Sequence, residues 1–318
     1  MKFKRPDKLF LKQKVMLRVC YALTPLVFAA VYLFGWRSLV LVLIVTLIGI
    51  ATEALFTWNQ GKPVTSAVFV TSLIFALSLP PSTPFWMAVT GIVAGVALGK
   101  MVFGGFGQNV FNPAMLGRCF IYVTFPMELT NQWVEPILGG AAGFGRWSTL
   151  PDAATMATPM AALRQGGDVP LESMFFGFTS GSLGETSAFL ILLGGTYLIY
   201  TKAASYRLAL SCLIGGVILS GLLHALGVPA VPSPHISMVS GSFLFGAVFV
   251  ATEPISGAKT RAGQWIYGFL IGALTIVLRS YSNFSEGIMF SVLIMNAFVP
   301  ILDRTVQQIK ASRKAIPA

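Results

Sequence analysis

Charge is what this sequence has least of: Asp, Glu, Lys and Arg make up 10% of 318 residues, against about 25% in an ordinary soluble domain. Acidic side chains are scarcer still, eleven beside twenty-two Lys and Arg, with two His and three Cys. Cys20, Cys119 and Cys212 stand far apart in apolar surroundings. That spacing offers no disulfide framework and no CxxC zinc or iron–sulfur site, and packing is their plain role. His224 and His235 flank the Pro-rich stretch 227–234 without acidic or Cys neighbours at ligand spacing, which argues against a metal centre. No Walker motif, dinucleotide fingerprint or Ser-His-Asp arrangement follows a strand–helix pattern.

What the chain has in abundance is apolar sequence, 55% of residues. Apolar stretches near 18 residues recur along its length, each able to cross about 30 Å of hydrocarbon as a helix. Barrel strands alternate over about ten residues, and these stretches do not. Because backbone polar groups in lipid must pair internally, the sequence predicts an all-α polytopic membrane protein. Ten spans are expected, near 16–34, 39–57, 64–79, 86–103, 109–125, 187–201, 206–225, 236–252, 264–280 and 286–302. The chain then divides into a basic cytoplasmic N-terminus (1–15), a first membrane half (16–125), a large external loop (126–186), a second membrane half (187–302) and a cytoplasmic C-terminus (303–318). The first apolar segment has no convincing cleavage site and leads into further spans, so it reads as a span rather than a removed signal peptide.

The net charge of +11 would suit nucleic acid, but the basic residues cluster between apolar segments. With the N-terminus inside, seventeen of the twenty-two Lys and Arg fall on the cytoplasmic side and four outside, with Arg118 inside a span. That is the positive-inside pattern of a multi-pass protein of a bacterial or archaeal inner membrane. The two halves resemble each other. Val68-Phe69-Val70, Leu79-Pro80, Gly91 and Gly95 echo Val248-Phe249-Val250, Glu253-Pro254, Gly268 and Gly272. Five spans is an odd number, so two such repeats would have inverted orientations.

Several residues invite chemistry. Glu53 lies in an apolar run, where a carboxylate is either an ion ligand on an ion pathway or a group reaching to the interface. Glu253 and Asp303 read as boundary residues. Gly104 to Pro113 suggests a break at the head of the fifth span, with Asn109 and Asn112 near a helix N-terminus. Arg118 within a span needs a partner, be it a carboxylate, a carbonyl or an anionic ligand. In Pro151 to Met160, Asp152, Thr155 and Thr158 are turn and N-cap residues before Pro159. The chemical alternative is a hydroxyl offered beside small residues for attachment of a phosphate-bearing group.

The stretch Asp152 to Pro159 resembles the flavinylation motif of the family that contains RnfD of the Rnf electron transport complex and its counterpart in the Na⁺-translocating NADH:quinone reductase. In that motif an acidic residue precedes Ser- or Thr-x-Ala-Thr and then Pro. Here the group is Thr155-Met156-Ala157-Thr158, where the family usually begins with Ser-Gly. The resemblance extends to Gly104 to Pro113, to Gly181 to Ser187 with its Gly-Glu-Thr, to Ala251 to Ser256, to Ile266-Tyr267-Gly268, and to Glu286-Gly287 through Asn296 and Pro300. The length suits the Rnf-type member. The resemblance implies FMN joined to Thr158 through a phosphoester, installed by a flavin transferase that uses FAD. Asp152 and Thr155 would shape the attachment turn, and Asn112, Arg118, Glu185 and Thr186 would line flavin or phosphate. A second, non-covalent flavin such as riboflavin is also implied. Such a protein carries electrons within a translocase of Rnf type, a ferredoxin:NAD⁺ oxidoreductase, beside other membrane and flavoprotein subunits, with Na⁺ or H⁺ as the coupled ion. The rival readings are a channel or secondary transporter without redox function, and a scaffold for other subunits.

Overall fold

The structure, a computed structural model, describes residues 9–58, 60–130, 133–148, 158–164, 167, 169–228, 231–282 and 287–315. Among the described residues, five helices are long and apolar enough to cross a membrane: α1 (Lys14–Phe34), α2 (Trp36–Trp58), α10 (Tyr206–Ala225), α13 (Arg261–Tyr281) and α14 (Gly287–Ala315). The other five expected spans are shorter or broken. α3 (Ala67–Leu77) is preceded by an extended pair, β2 (Val64–Thr65), rather than by helix. α4 (Phe85–Val96) runs into a π-helical turn at Ala97–Met101. α5 (Pro113–Thr124) starts at its proline, and α9 spans Ala188–Tyr200. The eighth expected span is α11 (Pro234–Val239), an extended Ser240, α12 (Phe243–Phe245) and a second π turn, Gly246–Val250. Broken segments of this kind are tolerated at membrane depth only where protein surrounds them. The chain obeys this: every residue from Phe243 to Thr252 is buried.

Chain ends and turns alternate between two faces of the bundle. At one face Arg18 donates to the Thr201 carbonyl at 2.6 Å, joining the start of α1 to the end of α9. The extended β1 (Phe10–Leu11) pairs there in parallel with β2. At the other face the α1–α2 corner is held by residues of the 126–186 stretch: Ile137 N–H donates to the Leu33 carbonyl at 2.8 Å, and Arg37 N–H to Trp147 at 2.7 Å. Gly35 turns this corner at φ +91°, and a methyl there would lie 2.7 Å from the Trp147 carbonyl oxygen. Leu183 and Gly184 likewise donate to Leu79 and Leu77 at the end of α3. Residues 126–186 contain α6 (Pro126–Thr130), α7 (Pro159–Arg164) and α8 (Leu171–Phe176), all too short to cross.

The packing order recurs in both halves. α2 packs on α3 and α4, and α4 on α5; α10 packs on α11 and α13, and α13 on α14. The glycines that suggested the repeat, however, serve different contacts. Gly95 meets α5, where a methyl would lie 2.5 Å from the Pro113 carbonyl, whereas Gly268 and Gly272 let α13 press on the α10 backbone at Leu208 and Cys212. In lipid, helices associate through such close backbone approach. Gly272→Ala is therefore expected to destabilise the bundle by about 1–3 kcal/mol, the range for overpacking. Gly221→Ala in α10, whose nearest neighbour would be Pro234 at 3.5 Å, should be neutral or slightly stabilising through helix propensity. Thermal unfolding of the two variants in detergent checks the contrast; equal shifts would contradict it.

Candidate functional site

Thr158 heads α7, and its Oγ1 accepts the Ala161 N–H at 3.2 Å. Beside it a cleft is lined by Trp133, Met174, Gly181, Glu185, Thr186 and Gly241, among others. A second, wider hollow of about 250 Å³ adjoins across Pro159, Thr179 and Ser180, with Glu135 and Phe178 on its rim. The Thr158 hydroxyl thus stands where the short helices of 126–186 meet the ends of α9 and α11. Asp152 and Thr155, expected to shape this turn, lie outside the described residues, as does Glu286.

Behind the cleft is a buried polar cluster. Arg118, on α5, is 5% exposed and faces Glu185, 6% exposed, at 3.7 Å, with Ser182 Oγ 3.4 Å from its Nη2. Of the partners open to Arg118 in the sequence, the structure supplies a carboxylate, and the Ser182 hydroxyl joins it. Thr186 is buried next to Glu185 and also lines the cleft. Arg279 on α13 is 3% exposed and donates to the Ser237 and Ser240 carbonyls. Arg164, at the far end of α7, donates to the Arg279 carbonyl. The sequence counted Arg279 only among the charges of the outer side, at the end of the ninth expected span. Its position one turn before the end of an apolar segment was the available signal.

Asn112 lies elsewhere. Its side chain accepts from Ala114 and Met115 N–H at 3.0 and 3.2 Å, the N-cap expected from the Asn-Pro break and worth about 1 kcal/mol. Its own N–H donates to Asn296 Oδ1 at 3.0 Å, and Asn296 Nδ2 donates to Tyr267 Oη at 2.7 Å and the Ser256 carbonyl at 3.2 Å. This network ties α5 to the second half and does not line the Thr158 cleft.

Glu53 does not reach to an interface. It is 1% exposed and 2.6 Å from Lys100 Nζ, itself 2% exposed. Thr65 completes the pair: its N–H and hydroxyl donate to Glu53 Oε1 at 2.9 and 2.6 Å, while its oxygen accepts from Lys100 at 2.8 Å. The pairing of β1 with β2 and the Ser66–Gln13 hydrogen bonds hold Thr65 in place. Lys100, counted on the cytoplasmic side at the end of the fourth expected span, lies inside the π turn, buried against a carboxylate. Asp303, read as a boundary residue at the end of the tenth span, lies within α14. α14 continues past it, and its carboxylate accepts from Lys259 and Thr260 N–H at 2.9 Å each. Glu253 accepts from Ser256 Oγ, next to the Asn296 network. Among the described residues no cluster of three metal-ligating side chains occurs.

An all-α bundle of many membrane-crossing segments, broken at two π turns, with buried ion pairs and a cleft at the base of one large hydrophilic stretch, defines a polytopic integral membrane protein. The chain belongs to the NQR2, RnfD, RnfE family, whose model matches residues 10–312. It is 36% identical, over 92% of its length and 89% of the relative's, to the subunit lettered D of the ion-translocating oxidoreductase complex from Stutzerimonas stutzeri. It is also 36% identical to the subunit lettered B of the Na(+)-translocating NADH-quinone reductase from Azotobacter vinelandii, over 82% of this chain and 65% of that longer protein. The corresponding quinone-reductase protein from Pseudoalteromonas atlantica is 36% identical over 90% of this chain and 70% of its own length.

Proposed function

We propose that this chain is the flavin-bearing membrane subunit of an ion-translocating electron-transport complex of Rnf type, with FMN esterified to Thr158. The carrying observation is the Thr158 hydroxyl, in the motif that resembles a flavinylation site, at the edge of a cleft backed by buried Arg and Glu side chains. The names of the similar proteins, one from an ion-translocating oxidoreductase complex and one from a Na⁺-translocating quinone reductase, support the same reading.

The residues present suit such a group. The Thr158 hydroxyl accepts one backbone N–H, which leaves a lone pair to attack phosphorus. A flavin transferase would break the pyrophosphate bond of FAD, form the Thr158 O–P bond, release AMP and pass the hydroxyl proton to solvent or a base. Bound FMN supplies one- and two-electron chemistry that no side chain here has. Pro159 presets the first turn of α7, and the Arg164 contact with Arg279 fixes α7 against the bundle. Glu185 and Thr186 offer acceptor and donor groups from the opposite wall.

The positive-inside count favours Thr158 on the outer side and both termini in the cytoplasm. Other flavoprotein and membrane subunits would exchange electrons with the flavin there. Riboflavin is a candidate second flavin within the membrane region. Any route for Na⁺ or H⁺ at Glu53 requires Lys100 to leave the carboxylate first, since its ammonium already occupies that place. The test is co-expression with a flavin transferase, denaturation in SDS and ultraviolet-excited fluorescence of the band. A bright band is expected; a dark one would favour a transporter without redox function.

A further inference from the structure

Arginine keeps its charge in proteins and has five N–H donors to satisfy. In Arg279 only Nη1 is served by hydrogen bonds, from the Ser237 and Ser240 carbonyls at 3.3 and 3.1 Å. The Phe243 ring stands 5.7 Å from the guanidinium carbon. Nε and Nη2 have no acceptor among the described residues, although they are buried. Glu185 lies 3.7 Å from Arg118 and attracts Arg279 from beyond ion-pair distance, so among the described residues one carboxylate serves two buried guanidinium groups. Buried donors on a charged group are strongly disfavoured when left unpaired, so these two nitrogens call for an acceptor.

Their position says what kind. Nη2 is 3.2 Å from the point where a Cβ would stand on Gly241, which turns there at φ +60°. Gly241 itself lines the Thr158 cleft. The six residues of α7 rise about 9 Å in all, and the Arg164 end of that helix is anchored on the Arg279 carbonyl. A hydroxyl therefore marks one wall of the cleft. Behind the bare glycine on another wall waits a cation with two unused donors.

We propose that Arg279 is the counter-charge of a phosphodiester anion in the Thr158 cleft. Its Nε and Nη2 donate to a non-bridging phosphate oxygen, and Gly241 leaves the approach open. This rests on the reading that Thr158 carries a nucleotide through phosphate. A phosphodiester holds one negative charge throughout the physiological pH range, and the paired Nε/Nη2 edge suits two-point recognition of phosphate.

The test compares the chain, Arg279→Gln, Thr158→Val and the double variant, all co-expressed with the transferase. SDS-gel fluorescence reports loading, and thermal unfolding in detergent reports coupling. Loading should raise the wild-type midpoint by about 2–4 °C over the same chain made without the transferase, and that rise should vanish in Arg279→Gln. Without flavin the sign reverses: in Thr158→Val, removing the cation with its unpaired donors should raise the midpoint. Arg279→Lys should keep part of the coupling. An equal loading-dependent rise in wild type and Arg279→Gln would overturn the proposal. A dark wild-type band sinks the Thr158 reading instead. Inorganic phosphate added to Thr158→Val then decides the anion site, as it does if Arg279→Gln fails to load. An Arg279-dependent rise retains the site, and no rise overturns it.

Discussion

Thr158→Val is expected to remove all ultraviolet-excited fluorescence from the denatured chain, and with it electron transfer through the assembled complex. The change is nearly isosteric, so the bundle should survive it. The lost hydrogen bond from Ala161 N–H costs about 1 kcal/mol, the usual loss on removing an N-cap. That is far less than a folded domain typically needs to unfold. Thr158→Ser keeps a hydroxyl and a cap, and should remain fluorescent. The pair of variants separates chemistry from stability. If electron transfer persisted in a dark Thr158→Val protein, the chain would be a scaffold for other carriers rather than a carrier itself.

The second large effect is expected at the other face, in the Glu53–Lys100–Thr65 triad. Every polar atom in it is matched: the carboxylate accepts from Lys100 and twice from Thr65, and the ammonium donates to both. Lys100→Met would leave a carboxylate in a site that is 1% exposed. Breaking such a pair from one side typically costs about 3–5 kcal/mol, whereas replacing both partners with uncharged groups is often nearly neutral. Glu53→Gln combined with Lys100→Met should therefore recover most of the stability lost in Lys100→Met alone. The readout is the detergent unfolding midpoint of the two single variants and the double variant. Additive losses in the double variant would mean that the two side chains do not depend on each other. The same variants bear on transport. If Lys100 occupies the place of a passing cation, Lys100→Met should change ion coupling even where the protein stays folded.

The long helices were legible from hydropathy because a uniform apolar run of twenty residues has few other solutions. α10 begins and ends where the apolar segment does, and α1, α2 and α13 differ from expectation by two or three residues at an end. The irregular segments were less legible. Hydropathy averages over a window, so it merged α11, Ser240, α12 and a π turn into one span, and extended the third span across Val64–Thr65. The Asn112 cap was readable because it is local: Asn-Pro specifies it within three residues. The buried ion pairs were not, because Glu53 and Lys100 stand 47 positions apart and nothing in either neighbourhood names the other. Lys100 sits near the end of its apolar segment, just before Gly104-Gly105, so it read as a charge on the cytoplasmic side. Arg279 was missed for the same reason, as a basic residue near a segment end is ordinarily an interface residue. The proposal for Thr158 draws on the family resemblance, which supplied what the bare pattern could not. As local chemistry alone, Thr158-Pro159 is a capped turn, and the structure contains that cap as well.

The most direct measurement is mass spectrometry of the peptide spanning Thr158, taken from protein made beside an active flavin transferase. The expected result is a peptide heavier by FMN less water, with fragmentation locating the addition on Thr158. An unmodified peptide under those conditions, or the same mass found on another residue, would contradict it.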